Sequence, residues 1–440
     1  MTSLISRRRG KQVRASTELG IHSPAGAEWT GGRRKTRIRA IDARGTMKET
    51  VVSDDLRELS GRVSIVGVGD TDYGADWAAS RTKNPEWIGR DSNELALIAF
   101  ERALIDSGLT REGIDGLAFS VGTRTETMVE VLGIKPGYVE RGWLYSMMRN
   151  AVEAIVHGKA STIALVFGYA QKSMGVEYGG TGIHQGPVSY YYYHPWGWSS
   201  QAAHWAMTFQ YYAEKYGYTE RDLAAVPVQI RKHAILNENA VMRKPLTVED
   251  YLASRYIVRP LRIFDLCLVN DGGVCLILRK TEQAKDMSHT PVKIAGWGQC
   301  EGHKDKWENM VERSLQPYLK ASGGQAYGMA AMNHHDIHHL QPYDHASFIV
   351  PLQIEGFGFA KPGEGLAFCQ DGRIGLGGEL PVNTSGGMLS ESYMQGWNQM
   401  AEAVRQLRRE AGARQVEGIE TSMFCFCSST GADTFIYQRG

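Results

Sequence analysis

Two phenols sit in polar contexts, the second of them glycine-containing. Tyr343 lies within Gln341-Pro342-Tyr343-Asp344-His345, and Tyr393 ends Ser385-Gly386-Gly387-Met388-Leu389-Ser390-Glu391-Ser392-Tyr393. A phenol has a pKa near 10 and moves protons at neutral pH only where cationic or hydrogen-bonding neighbours tune it. The chain holds 20 tyrosines, and most tyrosines are packed amphipathic side chains, so context must single out a catalyst. Nucleophiles are scarcer. The six cysteines (Cys267, Cys275, Cys300, Cys369, Cys425, Cys427) start only at position 267, and neither Ser146 nor Ser173 has a recognisable base. The run His334-His335-Asp336-Ile337-His338-His339 has metal-binding residue types, but as a strand over 336–341 it would point His338 and His339 to opposite faces. Cys425-Phe426-Cys427 is too tight for the usual zinc spacing and has no second pair, so no metal is expected. The aromatic run over 190–198 suits a wall of an apolar pocket, with Trp196 and Trp198 as substrate-pocket candidates, or equally an interface.

These residues must be positioned by an alternation of helices and apolar strands. Residues 63–69 read as a buried strand ending in a glycine turn. Its Gly67-x-Gly69 does not make a dinucleotide site, because position 72 is aspartate and no helix is expected directly after it. Asp91-Ser92-Asn93-Glu94 is a capping box, opening a helix through Leu97, Phe100, Ala103 and Leu104 that Gly108 closes. Strand 114–119, helix 145–157 and strand 163–167 follow, which predicts right-handed crossovers in a mostly parallel sheet. Residues 169–260 break the rhythm with Gly/Tyr-rich sequence and polar helices such as 220–237, and read as an inserted lid. Strands resume at 267–269 and 274–278. Residues 292–298 repeat the glycine-ended pattern of 63–69, which suggests one duplicated α/β unit. Beyond them the pattern gives strand 337–341, helix 391–410 and strands 420–426 and 434–437.

At 440 residues, 42% hydrophobic and 22% charged, the composition is that of a globular enzyme with a large core. There is no apolar run of about 18 residues and no apolar signal core, so neither a membrane span nor secretion is expected. Scattered cysteines suit a reducing cytoplasm rather than a disulfide framework. The net charge of +1 conceals an asymmetry: residues 1–46 carry eleven Lys/Arg against Glu18, Glu28 and Asp42, which is +8 and leaves −7 for the rest. This aliphatic-poor stretch reads as a disordered basic tail, taken as 1–58. Such a charge run suits nucleic acid or an anionic membrane. Met47, however, opens more ordinary sequence and reads as an alternative start, and no nucleic-acid partner is expected.

Several ordered blocks resemble the thiolase superfamily of the sterol-carrier and lipid-transfer-protein type, from about Gly61 onward. They are Pro245-Leu246-Thr247-Val248-Glu249-Asp250-Tyr251-Leu252 with Pro260-Leu261-Arg262, Val269-Asn270-Asp271-Gly272-Gly273, Tyr343-Asp344-His345-Ala346-Ser347, and Leu380-Pro381-Val382-Asn383-Thr384-Ser385-Gly386-Gly387. The resemblance implies an α/β fold, a five-layered αβαβα sandwich from two duplicated halves, usually dimeric. The halves would span 59–290, including the lid segment 169–260, and 291–440. In thiolases a cysteine begins the helix that here lies near 142–158, where this chain has Arg141-Gly142-Trp143-Leu144-Tyr145-Ser146. Tyr343 stands where thiolases carry Asn or His, and Tyr393 where their Gly-His-Pro block carries its histidine. Cys425 and Cys427 fall near the second catalytic cysteine. With no base left to pair, Cys427 reads as a small pocket-lining residue.

The pattern is similar to the lipid-transfer-protein-type aldolases of bacterial steroid side-chain breakdown, which use two tyrosines in these blocks. That resemblance implies retro-aldol cleavage of a β-hydroxyacyl-CoA to a ketone and a short acyl-CoA. Coenzyme A would enter only as part of the substrate, with no bound cofactor, and an OB-fold/zinc-ribbon subunit would be the partner. Retro-aldol chemistry needs a base at the β-hydroxyl, donors at the enolate oxygen and an acid for the α-carbon. Tyr343 and Tyr393 are assigned to the two proton transfers, with their order open. Asp344 and His345 are candidates to orient or tune Tyr343. N–H groups at Gly386 and Gly387, or over 428–431, are candidates for the enolate oxygen. Two other readings stand beside this one: a thiolase or acyltransferase with a relocated nucleophile, and a catalytically silent, lipid-binding thiolase-like subunit.

Overall fold

The apolar runs become strands of one mixed sheet. The computed structural model describes residues 36–41, 47–52, 54–81, 89–176, 200–301, 315–428 and 431–440. The strands of this sheet are β1 (Val63–Asp70), β2 (Gly116–Ser120), β3 (Tyr138–Arg141), β4 (Thr162–Ala170), β5 (Asp271–Lys280), β6 (Val292–Glu301), β7 (Leu340–Pro342), β8 (Thr421–Ser428) and β9 (Gly431–Arg439). The helices that matter below are α1 (Tyr73–Arg81), α2 (Ser92–Ser107), α3 (Leu144–Val156), α4 (Gln201–Tyr216), α5 (Ala225–Ile235), α6 (Gln316–Ala330), α7 (Ile349–Gly356) and α8 (Trp397–Arg408).

The spatial order is β7-β8-β9-β6-β1-β5-β4-β2-β3. Only β7–β8, β4–β2 and β2–β3 are parallel. The other five pairings are antiparallel, so the expected mostly parallel sheet is in fact mixed. The cause lies in β5, which returns after the inserted segment and lies antiparallel between β1 and β4, and in the closing hairpin β8–β9.

The sheet narrows at one joint, where β6 and β1 share only Val292↔Ile65 and Lys293↔Ser64. On one side α2 covers β1, β4 and β5; on the other α6 covers β6 and β9. Between the two halves lie α3 and α8. Tyr145 of α3 stacks on Phe424 and Phe426 of β8, and α8 touches strands of both halves. The result is the layer sequence αβαβα.

Both outer faces use one device. A Cβ on Gly67 or Gly69 would collide with the carbonyl oxygen of Ala103 or Ala99 in α2, and one on Gly296 or Gly298 with that of Ala326 or Ser322 in α6. Each Gly-x-Gly therefore lets a helix lie directly on a strand. A helix does follow β1, contrary to expectation, since α1 begins at Tyr73; the glycines are nevertheless taken up by α2. The capping box at Asp91 and Glu94 is formed, and α2 ends at left-handed Gly108.

Other elements depart from expectation. Residues 267–269 are not a strand; Cys267 N–H donates to the His345 carbonyl and Leu268 N–H to that of Met388. The helix expected from 391 starts at Trp397, because Gly387–Glu391 winds as a π-helical turn. The inserted segment is no loose lid where it is described. Trp205 and Phe209 of α4 and Val226 and Ile230 of α5 share a core with Phe348, Ile349 and Leu352. The 190–198 run, with Trp196 and Trp198, lies outside the described residues. The tail expected over 1–58 contains regular structure, since Thr36–Ile41 and Met47–Val52 pair as an antiparallel hairpin; residues 1–35 lie outside the described residues. Among the described residues no helix is long and apolar enough to cross a membrane.

Candidate active site

Tyr343 follows β7 directly. Its N–H donates to the Cys425 carbonyl of β8 at 2.9 Å and to Gln353 Oε1 at 3.1 Å, while Gln353 Nε2 donates back to the Tyr343 carbonyl at 3.2 Å. Buried Gln353 on α7 thus grips the tyrosine backbone at both ends. Tyr393 follows the π-turn. Its N–H donates to Asn270 Oδ1 at 2.9 Å, and its carbonyl accepts from Gln171 Nε2 at 2.9 Å. Held this way, the two phenols meet: their hydroxyl oxygens lie 3.2 Å apart.

Two buried carboxyls hold the turn that leads to Tyr393. Asp344 accepts from the Met388 N–H at 2.8 Å and from Gln399 Nε2 at 3.1 Å. Glu391 accepts from Asn237, Asn398 and Ser385 at 2.9, 2.8 and 2.7 Å. Burial pushes Asp344 up to about 7. Burial, with the Glu402 carboxylate nearby, pushes Glu391 up to about 8. Gly387 is left-handed at φ +52, and a Cβ there would run into the Asp344 carboxylate. These partners of the Asp344 carboxylate belong to the Tyr393 turn and α8 rather than to the Tyr343 hydroxyl. The Gly386 N–H is spent inside the turn on the Asn383 carbonyl at 2.9 Å, which removes it as an enolate donor. Residues 429–430 of the alternative donor loop lie outside the described residues.

A third phenol joins the pair. Tyr145 at the start of α3 donates to the Gln395 carbonyl at 2.9 Å, and its ring stacks on Phe426 with centroids 4.2 Å apart. Phe426 in turn meets the Tyr343 ring edge to face at 4.8 Å. The sequence marked this spot only by a missing cysteine. Gln353, Asn270 and Gln171 were likewise passed over; of these only Asn270 sat in a recognisable block.

The electrostatics keep most groups neutral. Burial, then Tyr343 and Cys267, raise the Tyr393 phenol well above its ordinary value, and burial and Tyr393 do the same to Tyr145. The His345 ring lies 5.0 Å from that of Tyr343 and 5.3 Å from that of Trp205; burial and His204 hold it down to about 3. Burial, then Asp344, push Cys267 up to about 12, so it is a thiol and not a thiolate.

Cys427 is not where the sequence put it. Along β8, Phe424 and Phe426 face the central helices, so Cys425 and Cys427 face the other way. There Thr434 Oγ1 donates to Cys425 Sγ at 3.7 Å and lies 2.9 Å from Ser322 Oγ of α6. The histidine run gathers no ion site: His334–Asp336 is a 3-10 turn, and buried His339 lies between Ser422 and Thr384. Among the described residues, the group with ligand atoms close enough for a metal is Asp106, His289 and Glu410, and there Arg408 already pairs with Asp106 at 2.8 Å.

Residues 301–435 match the thiolase C-terminal domain-like family. The chain is 35% identical over 369 residues to the steroid side-chain-cleaving aldolase of Thermomonospora curvata, covering 80% of this chain and 91% of that protein. It is 33% identical over 384 residues to the 17-hydroxy-3-oxo-4-pregnene-20-carboxyl-CoA lyase of Mycobacterium tuberculosis, covering 82% and 95%. Among solved structures it resembles the Ltp2-ChsH2(DUF35) aldolase, with a TM-score of 0.76 and 29% identity over 87% of this chain and 98% of that one. Human mitochondrial 3-ketoacyl-CoA thiolase shares the fold at a TM-score of 0.61 and 14% identity, over 87% and 99%.

Proposed function

The chain belongs to the thiolase-fold family of steroid side-chain-cleaving aldolases, and from that premise we propose that it cleaves a ring-bearing β-hydroxyacyl-CoA by retro-aldol chemistry. Tyr343 and Tyr393 move the two protons. The observation that carries this reading is the 3.2 Å contact between their hydroxyls in a site where Cys267, the thiol that bears on Tyr393, is held protonated.

Tyr393, with its phenol held high, stays protonated and serves as the acid; Tyr343, as the base, acts through its deprotonated oxygen, to which the Tyr393 hydroxyl can donate across the contact. Tyr343 takes the β-hydroxyl proton, and the hydroxyl oxygen becomes a ketone as the Cα–Cβ bond breaks. The bonding pair passes into a thioester enolate. Tyr393 gives its proton to the α-carbon, releasing the short acyl-CoA. The proton on Tyr343 then crosses the same contact and restores both groups. No cofactor beyond the coenzyme A of the substrate takes part in this scheme.

The same reading includes a cytoplasmic homodimer and an OB-fold/zinc-ribbon partner subunit. The free state of all six cysteines is in keeping with that compartment. The Ltp2-ChsH2(DUF35) neighbour supports a partner. The open sheet edge at β3, where Val139 is 40% exposed and Trp143 66%, supports pairing with a second copy.

A tertiary β-hydroxyacyl-CoA given to the full chain, with and without the zinc-ribbon subunit, tests the chemistry. Ketone release without added CoA is expected. Cleavage only when free CoA is supplied would mean thiolysis, and no cleavage even with the partner would mean a non-catalytic subunit.

A further inference from the structure

The retro-aldol reading leaves one need without a residue. As the Cα–Cβ bond breaks, negative charge collects on the thioester oxygen, and donors already in place there lower the barrier. The Gly386 N–H is spent on the Asn383 carbonyl, and the two phenols are taken up with proton transfer. The thioester oxygen is two bonds from the α-carbon, so its donors must stand beside the phenol pair.

His345 stands there. In Tyr343-Asp344-His345 the middle carboxyl turns to the Met388 N–H, while the two outer rings lie together with centroids 5.0 Å apart. The backbone that carries the imidazole is fixed. Its carbonyl accepts from the Cys267 N–H at 3.1 Å, and Leu266 forms an antiparallel bridge with Ala346. The imidazole also meets the indole of Trp205, on α4, edge to face at 5.3 Å.

Both rings carry a nitrogen that the fold does not use. Among the described residues neither His345 Nδ1 nor Trp205 Nε1 has a hydrogen-bond partner, although Trp205 is only 3% exposed and His345 9%. Buried polar groups are nearly always paired, and an orphan beside reacting groups points to a partner that arrives with the substrate. The indole N–H can only donate. The imidazole is kept neutral by burial, and a neutral ring can polarise a carbonyl without surrendering its proton.

We propose that His345 Nδ1–H and Trp205 Nε1–H receive the thioester oxygen and hold it as the enolate forms. Neither gives up its proton. Both hydrogen bonds strengthen as charge develops and relax when Tyr393 protonates the α-carbon. The assignment rests on the retro-aldol reading and supplies the donors that reading requires.

Enolate formation can be measured apart from cleavage, because a short acyl-CoA enters the same enolate when Tyr393 runs its step in reverse. Exchange of the α-protons of propionyl-CoA for deuterium in D₂O, followed by NMR, reads it on the full chain with the zinc-ribbon subunit present. His345→Leu should slow both exchange and ketone release about 10²- to 10³-fold, mainly in kcat, the usual cost of one such donor. His345→Asn returns an amide N–H near the place of Nδ1 and should run at least about tenfold faster than His345→Leu in both assays. A role in packing alone predicts the reverse order, since the leucine buries no polar group. Trp205→Phe should slow exchange in the same sense. Near-natural exchange and turnover in His345→Leu, or His345→Asn no faster than His345→Leu, overturns the assignment; ketone release by the natural sequence then leaves the retro-aldol reading standing. Neither exchange nor ketone release by the natural sequence overturns both.

Discussion

In the proposed mechanism the functional atom of Tyr343 and of Tyr393 is a single hydroxyl oxygen, and phenylalanine removes it with little change of volume. Tyr343→Phe and Tyr393→Phe should each lower ketone release about 10²- to 10⁴-fold, the usual cost of losing an acid–base group. If the two act as the one relay proposed, the double variant should be little worse than either single one. Steady-state assays with melting temperatures as a folding control check this. The tyrosines were legible because their contexts are local blocks of sequence. Their 3.2 Å approach was not, since it depends on Gln353, Asn270 and Gln171 from three separate segments. Cys427 was misplaced for a related reason: strand parity decides its face, and the sequence does not state which face of β8 meets the central helices. Tyr145 gave no positive signal of its own.

The π-turn Gly387–Glu391 gives the site a pH dependence that belongs to an element rather than to a catalyst. Asp344 and Glu391 have ordinary values of 3.8 and 4.5 but titrate at about 7 and about 8 when folded. The folded state binds these protons more tightly, so their contribution to stability is complete below the ordinary values and is lost as pH rises through about 7 to 8. Glu391→Gln keeps the shape without the titration. Its melting temperature relative to the natural sequence should therefore climb from pH 5 to about pH 8 and level off above it, as thermal denaturation at constant ionic strength would show. Long apolar strands and the Asp91 capping box could be read in advance, because periodicity and caps are written in neighbouring residues. The π-turn could not, since it is wound on left-handed Gly386 and Gly387 and held by a distant carboxyl. Strand direction was misjudged because the return path of β5 is a property of topology.

At the scale of the whole molecule, the repeated Gly-x-Gly of β1 and β6 was visible as a faint self-similarity, and its meaning, a helix laid on each half, needed coordinates. Among the described residues the sheet ends at β3, whose outer edge pairs with no further strand. Val139→Lys blunts such an edge and should shift the proposed dimer toward monomer in sedimentation velocity. The joint between β6 and β1 has a wider consequence. Both phenols of the proposed relay belong to segments beyond it, whereas Asn270 and Gln171, which hold the Tyr393 backbone, belong to the first half. The proposed acid–base pair and the side chains that fix one of its members thus have separate addresses along the chain. A lineage built this way can retune how the pair is held by drifting in one half, while the two phenols themselves are inherited intact in the other.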